Sequence, residues 1–427
     1  MNTIPYVNEI HSKKEWIYRP RWIASELRAA IKDHSVVVLT GARQVGKSTL
    51  LQREKPLSGW RYITLDDFDA QRQAEQGPPA LWAGVDQIVI DEVQKSPRLL
   101  SEVKRIVDRK RPGVSFVLSG SANLLLMRQV SESLSGRAVY FTLYPMTYGE
   151  TEQQGPPDWL RRFLKGEMPR EGSVEAPPSD PFPLVARGFM PSVLALSGQE
   201  AVVRWWEGYV ATYLERDLRQ ISQIESLVDF RKLMEALALR NGQILNQTEV
   251  GRDIGLSQPT VHRYLNILEA TCLLERLPAF ARSRTKRLMK TPKIYWIDPG
   301  LAAYLAGYYD EDSLRGAREV GGFFASLVIL HLKVLAQLLT PRPRFSYWRT
   351  LAGKEVDLVI EHGRRLLAVE IKLSPTPSYR DTEALRLFLE DHPETTAALI
   401  IHTGREVRRL HEKIVAIPWH FLSGKWK

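Results

Sequence analysis

Eight consecutive residues, Gly41-Ala42-Arg43-Gln44-Val45-Gly46-Lys47-Ser48, have the types and spacing G-x-x-x-x-G-K-S/T with which a protein backbone cradles phosphate. They follow a β-branched run, Val36-Val37-Val38-Leu39, and precede an apolar helical start, Thr49-Leu50-Leu51. A strand that breaks on glycine into a helix aims successive N–H groups, and the positive end of the helix, at a bound anion. In that setting the stretch from Gly41 to Thr49 is expected to wrap the phosphates of ATP. Lys47 would reach the β- and γ-phosphates, and the Ser48 hydroxyl would ligate Mg²⁺.

A second group suits the same chemistry. Gln87-Ile88-Val89-Ile90-Asp91-Glu92 is a buried-strand run that ends in two carboxylates, the form of a Walker B strand. Asp91 is expected to hold the Mg²⁺ and Glu92 to polarise the attacking water. A third group stands far downstream. Asp357 lies on one expected strand and Glu370-Ile371-Lys372 on the next, with Glu370 and Lys372 on one face by the two-residue period. Two carboxylates on adjacent strands with a lysine beside them form the D…E-x-K pattern of many metal-dependent nucleases. Asp357, Glu370 and Lys372 are therefore a possible second metal site.

These residues need elements to position them. Strands are expected at 35–40, 61–65, 87–91, 114–120 and 138–143, alternating with helical patterns such as Leu99 to Lys110. That alternation predicts an α/β unit, a parallel sheet with helices on both faces, over residues 1–150. A stretch rich in proline, glycine, serine and charge follows, so 151–235 is read as an insertion and helical lid. From Asn246 to Leu265 the pattern is helix, glycine turn, and second helix with Pro259 near its start, a helix-turn-helix within a winged-helix region at 236–310. The second helix would present Gln258, Thr260, His262 and Arg263. Strands at 274–280 and 293–297 would form a wing whose basic loop carries Arg282, Arg284, Lys286 and Arg287. A last α/β unit is expected at 311–427: a helix over 323–339, then strands at 344–349, 355–361, 366–373 and 397–402.

The bulk numbers narrow the function classes. A chain of 427 residues needs more than one core, and 44% hydrophobic with 25% charged residues is an ordinary globular composition. No apolar run nears the twenty residues needed to span a bilayer, and the first residues lack a signal-peptide core, so the expectation is a cytoplasmic protein with no membrane partner. Cys272 is the single cysteine, which excludes an internal disulfide and a thiolate metal cage. A net charge of +10 favours a polyanionic partner such as nucleic acid, DNA foremost.

Taken in order, the motifs resemble those of the bacterial and archaeal AAA+ ATPases that carry a C-terminal domain of unknown function, a winged helix followed by a PD-(D/E)xK nuclease-like fold. The matching pieces are TGARQVGKSTLL (40–51), IVIDEVQ (88–94), FVLSGSANLLL (116–126), SLSGRAVYFTLYPMTYGE (133–150), YLERDL (213–218), YWIDPGLAAYLAG (295–307), GKEVDLVIE (353–361) and AVEIK (368–372). The resemblance implies a restriction-endonuclease-like C-terminal α/β domain. It also implies that Ser121 is a sensor for the γ-phosphate and that Arg137 is an arginine finger acting on a neighbouring subunit, hence a homo-oligomer, with a hexameric ring one form open to it. Arg187 would be a lid arginine. Two departures stand out. Relatives commonly read G-x-P-R where this chain has Gly41-Ala42-Arg43. Nuclease-like relatives often place a glutamate where this chain has Ala325, which leaves the nuclease set short. The function read from the sequence is an ATP-hydrolysing protein that binds and remodels DNA. The alternatives are an ATP-regulated metal-dependent nuclease and an ATP-driven protein-binding switch.

Overall fold

A computed structural model of the chain describes residues 18–109, 113–120, 134–173, 180–212, 224–281 and 291–424. The first sheet contains β1 (Val36–Thr40), β2 (Arg61–Thr64), β3 (Gln87–Asp91), β4 (Ser115–Ser119) and β5 (Ala138–Thr142) in the order β2-β3-β4-β1-β5, every pair parallel. All five strands stand where the sequence places them. Alternate side chains divide between two cores: Val37, Leu39, Val89 and Val117 enter one, and Val36, Val38, Ile88, Ile90, Phe116 and Leu118 the other. A sheet buried on both faces accounts for the unbroken apolar runs. Among the helices that flank it are Lys47–Arg53, which starts directly from the phosphate-type loop after β1, and Pro97–Val107.

The middle of the chain is mostly helical. Its described helices include Pro181–Arg187, Pro191–Leu194, Gln199–Tyr209 and Leu227–Ala238, preceded by the two-residue strand β6 (Gly172–Ser173). Gln247–Ile254 and Gln258–Ala270 are the expected helix pair. Asn246 and Ser257 cap their N-termini through side-chain oxygens, and Gly255 turns the chain at φ +74°. The hairpin of β7 (Leu274–Leu277) and β8 (Lys293–Trp296) follows. Arg282, Arg284, Lys286 and Arg287, which the sequence puts between these strands, lie outside the described residues.

The C-terminal sheet contains β6 together with β9 (Arg344–Arg349), β10 (Glu355–His362), β11 (Arg365–Lys372), β12 (Thr395–His402), β13 (Glu406–His411) and β14 (Ile414–Pro418), in the order β6-β13-β14-β12-β11-β10-β9. It is mixed, antiparallel between β9, β10 and β11 and parallel from β11 through β12 to β14. The apolar helix Val320–Ala336 covers one face and Glu383–Asp391 the other. One continuous core joins a face of the first sheet, the helical middle and a face of this sheet. Among the described residues no helix is long and apolar enough to cross a membrane.

Candidate functional site

The carboxyl ends of β1, β3 and β4 converge on one site. Gly41 leaves β1 at φ +147°, and a Cβ there would stand 2.2 Å from the Leu143 carbonyl oxygen, so no larger residue fits. Gln44 at φ +67° and Gly46 at φ +92° turn the loop back into the helix Lys47–Arg53. Such left-handed residues within a turn make the concave backbone that binds anions. Ala42 and Val45 are buried and fix the loop's underside, and Lys47 is 6% exposed. Its ammonium donates to the carbonyls of Gly41 at 3.0 Å and Ala42 at 2.9 Å, and burial lowers its pKa against the opposing pull of Glu92 and Asp91.

Asp91, 2% exposed, is the hub of the site. Its Oδ2 accepts from Ser48 Oγ at 2.5 Å and from Tyr62 Oη at 2.7 Å; its Oδ1 accepts from Ser119 Oγ and from the Glu92 amide at 3.0 Å. Burial and the hydrogen bond to Asp91 both raise the Tyr62 pKa, so the phenol stays a donor. Glu92 itself sits in the left-handed region at φ +57°, a conformation that a non-glycine residue holds at a cost of about 1 kcal/mol or more and that clusters at functional sites. Burial and the Asp91 charge push its carboxyl pKa up, with burial the larger cause, while Lys47 opposes them. Gln94 donates to Glu92 Oε2 and fixes its direction.

Tyr62 and Ser119 were not singled out in the sequence, because nothing local marks a strand tyrosine or a strand-end serine as partners of a carboxylate 28 or 29 residues away. Arg21 was missed for the same reason. Its buried guanidinium donates to the carbonyls of Val45 at 2.8 Å, Tyr144 at 2.7 Å and Pro145 at 3.2 Å, and pairs with Glu150 at 3.2 Å. It clamps the loop from behind. Beside it a cleft of about 320 Å³ opens between Tyr18, Thr49, Gln52, Met146 and Pro191. Ser192 donates to Gln44 Oε1 at 3.0 Å and Tyr209 to the Arg43 carbonyl at 3.4 Å, so the helical middle of the chain touches the loop directly.

The remaining sequence-based candidates separate. Ser121 lies outside the described residues. Arg137 precedes β5 and pairs with Asp108, also donating to the Ser135 carbonyl at 2.9 Å. It stands at the amino end of a five-residue strand whose carboxyl end borders the loop, roughly 16 Å along the strand from it. Arg187 spends its donors on the carbonyls of Val193, Leu194 and Leu196 and so holds the short helix Pro191–Leu194 in place. That helix is anchored again by buried Asp298, which accepts from the amides of Phe189 at 2.9 Å and Gly300 at 2.8 Å; burial raises its pKa to about 6 against those amides. Arg263, half-exposed, pairs with Glu225 at 2.7 Å and lies over the Tyr264 ring, while Gln258 and His262 are exposed.

The structure brings Asp357, Glu370 and Lys372 together. Lys372 Nζ is 2.7 Å from Glu370 Oε1, and the Ile371 amide donates to Asp357 Oδ2 at 3.0 Å. A cation that the sequence did not suggest stands among them: Lys293 of β8, 3.0 Å from Asp357 Oδ1 and paired also with Glu355. Burial and the Asp357 charge push the Glu370 pKa up to about 8, with burial the larger cause. Ala325 is buried in the helix Val320–Ala336.

Known protein families match three stretches of the chain. Residues 33–152 match a family model described as AAA domain, residues 182–312 one described as Domain of unknown function (DUF8612), and residues 320–422 one described as Domain of unknown function (DUF4143). Uncharacterized proteins of Mycobacterium tuberculosis and Mycobacterium bovis are each 31% identical to this chain over 397 residues, 92% of this chain and 82% of theirs. Among solved structures, the Walker-type ATPase of Pyrococcus abyssi aligns with a TM-score of 0.43 at 16% identity, over 68% of this chain and 99% of that one. The chain belongs to one family with the mycobacterial proteins and is an AAA-type P-loop ATPase with a C-terminal DUF4143 domain.

Proposed function

We propose that the chain hydrolyses ATP with Mg²⁺ at the β1–β3–β4 site and uses the cycle to rearrange its helical and C-terminal regions on DNA. The observation that supports the first half is the 2.5 Å contact of Ser48 Oγ with Asp91 Oδ2, a hydroxyl and a carboxylate side by side at the foot of a phosphate-type loop. Hard oxygens of this kind suit Mg²⁺, which would be held by Ser48 and Asp91 and would neutralise charge on the β- and γ-phosphate oxygens. Lys47 exchanges the carbonyls of Gly41 and Ala42 for phosphate oxygens. Glu92, with its raised pKa and with Gln94 orienting it, accepts the proton of the water that attacks the γ-phosphorus as the bond to the bridging oxygen breaks. The cleft lined by Tyr18, Gln52 and Met146 takes the nucleoside. Arg137, too far from its own loop, serves the nucleotide of a neighbouring subunit in a homo-oligomer, and Ser121 reads the γ-phosphate.

DNA is the partner read from the charge of +10, the helix pair at 247–270, taken as the core of a winged helix, and the basic run 282–287. The domain limits 1–150, 151–235, 236–310 and 311–427 remain those of this reading, and the cytoplasm its compartment. The test is steady-state turnover at fixed salt with single-stranded, double-stranded and branched DNA. We expect Mg²⁺-dependent hydrolysis that DNA accelerates. Turnover without any response to DNA, together with no binding in fluorescence anisotropy at low salt, overturns the DNA half and leaves a protein-directed switch. Mixing Arg137→Ala with Lys47→Ala chains should restore turnover at mixed interfaces, and an unchanged monomer mass in ATP argues against the shared site.

A further inference from the structure

Both ends of the phosphate-type loop are set against one short stretch of backbone, residues 143–145. At the start of the loop, a Cβ on Gly41 would stand 2.2 Å from the Leu143 carbonyl oxygen, and the Leu143 amide donates to the Thr40 carbonyl at 2.7 Å. At its end the link is a side chain. Arg21 gives one terminal nitrogen to the Val45 carbonyl at 2.8 Å and the other to the carbonyls of Tyr144 at 2.7 Å and Pro145 at 3.2 Å. Its Nε donates to Glu150 Oε1 at 3.2 Å, so each nitrogen of the guanidinium has an acceptor within the protein.

The charge of Arg21 is met as well. The side chains of Arg21 and Glu150 are 4% and 1% exposed, and the carboxylate is itself fixed by the amides of Trp22 and Thr147, each at 2.8 Å. A neutralised pair brings direction rather than net charge to the loop. That direction passes along the backbone. A trans peptide is planar, with its C=O and N–H on opposite sides, so a grip on the Val45 oxygen also orients the amide that follows, that of Gly46. The nitrogen that holds Val45 lies 4.0 Å from where a Gly46 Cβ would stand, and Gly46 at φ +92° takes a conformation that leaves its amide direction to be set from outside.

We propose that Arg21 is a positioning residue for ATP: by holding the Val45 oxygen it turns the Gly46 N–H to the concave side of the loop, where that amide meets a phosphate oxygen. This role rests on the nucleotide reading of the loop and places one determinant of its affinity outside the loop, on the segment before the first described helix. A lysine at the same position keeps the charge beside Glu150 but lacks the planar fork that spans three carbonyls and a carboxylate.

The experiment is steady-state ATP hydrolysis by the full-length chain with Mg²⁺, with inorganic pyrophosphate as a competitor that has a phosphate chain and no nucleoside. Arg21→Lys should raise KM for ATP about tenfold, the size of one lost hydrogen bond to a charged group, and weaken pyrophosphate inhibition by the same factor. Its kcat at saturating ATP should stay within about twofold, because the contact is equal in ground and transition states. Arg21→Gln with Glu150→Gln, a neutral pair, should raise KM as much as Arg21→Lys does. An unchanged KM in Arg21→Lys, a rise confined to the neutral pair, or pyrophosphate inhibition that does not weaken overturns the proposal alone. A wild-type chain that turns over no ATP overturns the nucleotide reading with it. If Arg21→Lys does not fold, the neutral pair is read in its place, and failure of both to fold makes Arg21 a residue of the fold only and overturns its role in binding.

Discussion

Two places in this molecule set a carboxylate at the heart of a strand-built site, and they satisfy it in opposite ways. Asp91 is held by Ser48, Tyr62, Ser119 and a backbone amide, donors that carry no charge. Asp357 is held by the ammonium of Lys293, with the Ile371 amide as a neutral donor beside it. Neutral donors orient a carboxylate without bringing an opposite charge to it. A lysine cancels what it orients. The same residue type in the same kind of strand thus meets only neutral donors in one case and a buried ammonium in the other.

The contrast is broken most directly at Glu92. Glu92→Gln keeps shape and removes the proton acceptor, so ATP should stay bound while kcat falls about 10³-fold; single-turnover hydrolysis checks it, and wild-type turnover ends the assignment. Next in size is Asp357→Asn, which strands part of the Lys293 charge in a buried place. We expect a loss of about 3 kcal/mol in denaturant unfolding, at the low end for a broken buried pair because Glu355 remains, with ATPase activity at its wild-type level.

Acid should sharpen the comparison. Burial pushes the pKa values of His331, His402 and His420 down to about 4, and two of the rings are fixed as neutral by their bonds. His331 donates to the Leu327 carbonyl and accepts from the Tyr148 amide; His402 accepts from the Gly404 amide and donates to the Glu406 carbonyl. Their folded pKa values lie below the unfolded value of 6.5, so their contribution is intact above pH 6.5 and is lost as pH falls toward 4. At pH 5.5 each costs about 1 kcal/mol. All three lie in the C-terminal region, and hydrogen exchange at pH 5.5 should open that sheet before the first. Equal loss in both sheets contradicts this. The smallest effect is at Tyr62→Phe, which removes one neutral donor from Asp91. It should cost about 1 kcal/mol, seen as a severalfold rise in the Mg²⁺ needed for half-maximal turnover.

How much of this was legible in the sequence follows from how far apart the partners are. The loop at 41–48, the strand ending in Asp91 and Glu92, and the strands of the first sheet carry local signatures, because one turn of chain or one strand suffices to define them. The four donors to Asp91 come from four different segments, and Tyr62 lay inside none of the motifs. Arg21 meets Val45 across 24 residues, Asp298 meets Phe189 across 109, and Lys293 meets Asp357 across 64. No periodicity records such meetings. Strand β13 was missed for another reason: Glu406-Val407-Arg408-Arg409-Leu410-His411 is polar nearly throughout, since it lies near the sheet's edge with only β6 beyond it.

Both flanks of the C-terminal sheet are closed by chain from elsewhere. On one side Gly172 and Ser173 pair with Val407 and Glu406; on the other, Pro278 and Phe280 pair with Tyr347. Cutting the chain at residue 311 to obtain that sheet alone would strip both covers and leave two rows of unpaired amides and carbonyls facing solvent, the template on which strands of separate molecules join. The fragment 311–427 is thus expected to associate with itself, and its soluble form to need residues 172–173 and the β7–β8 hairpin supplied along with it.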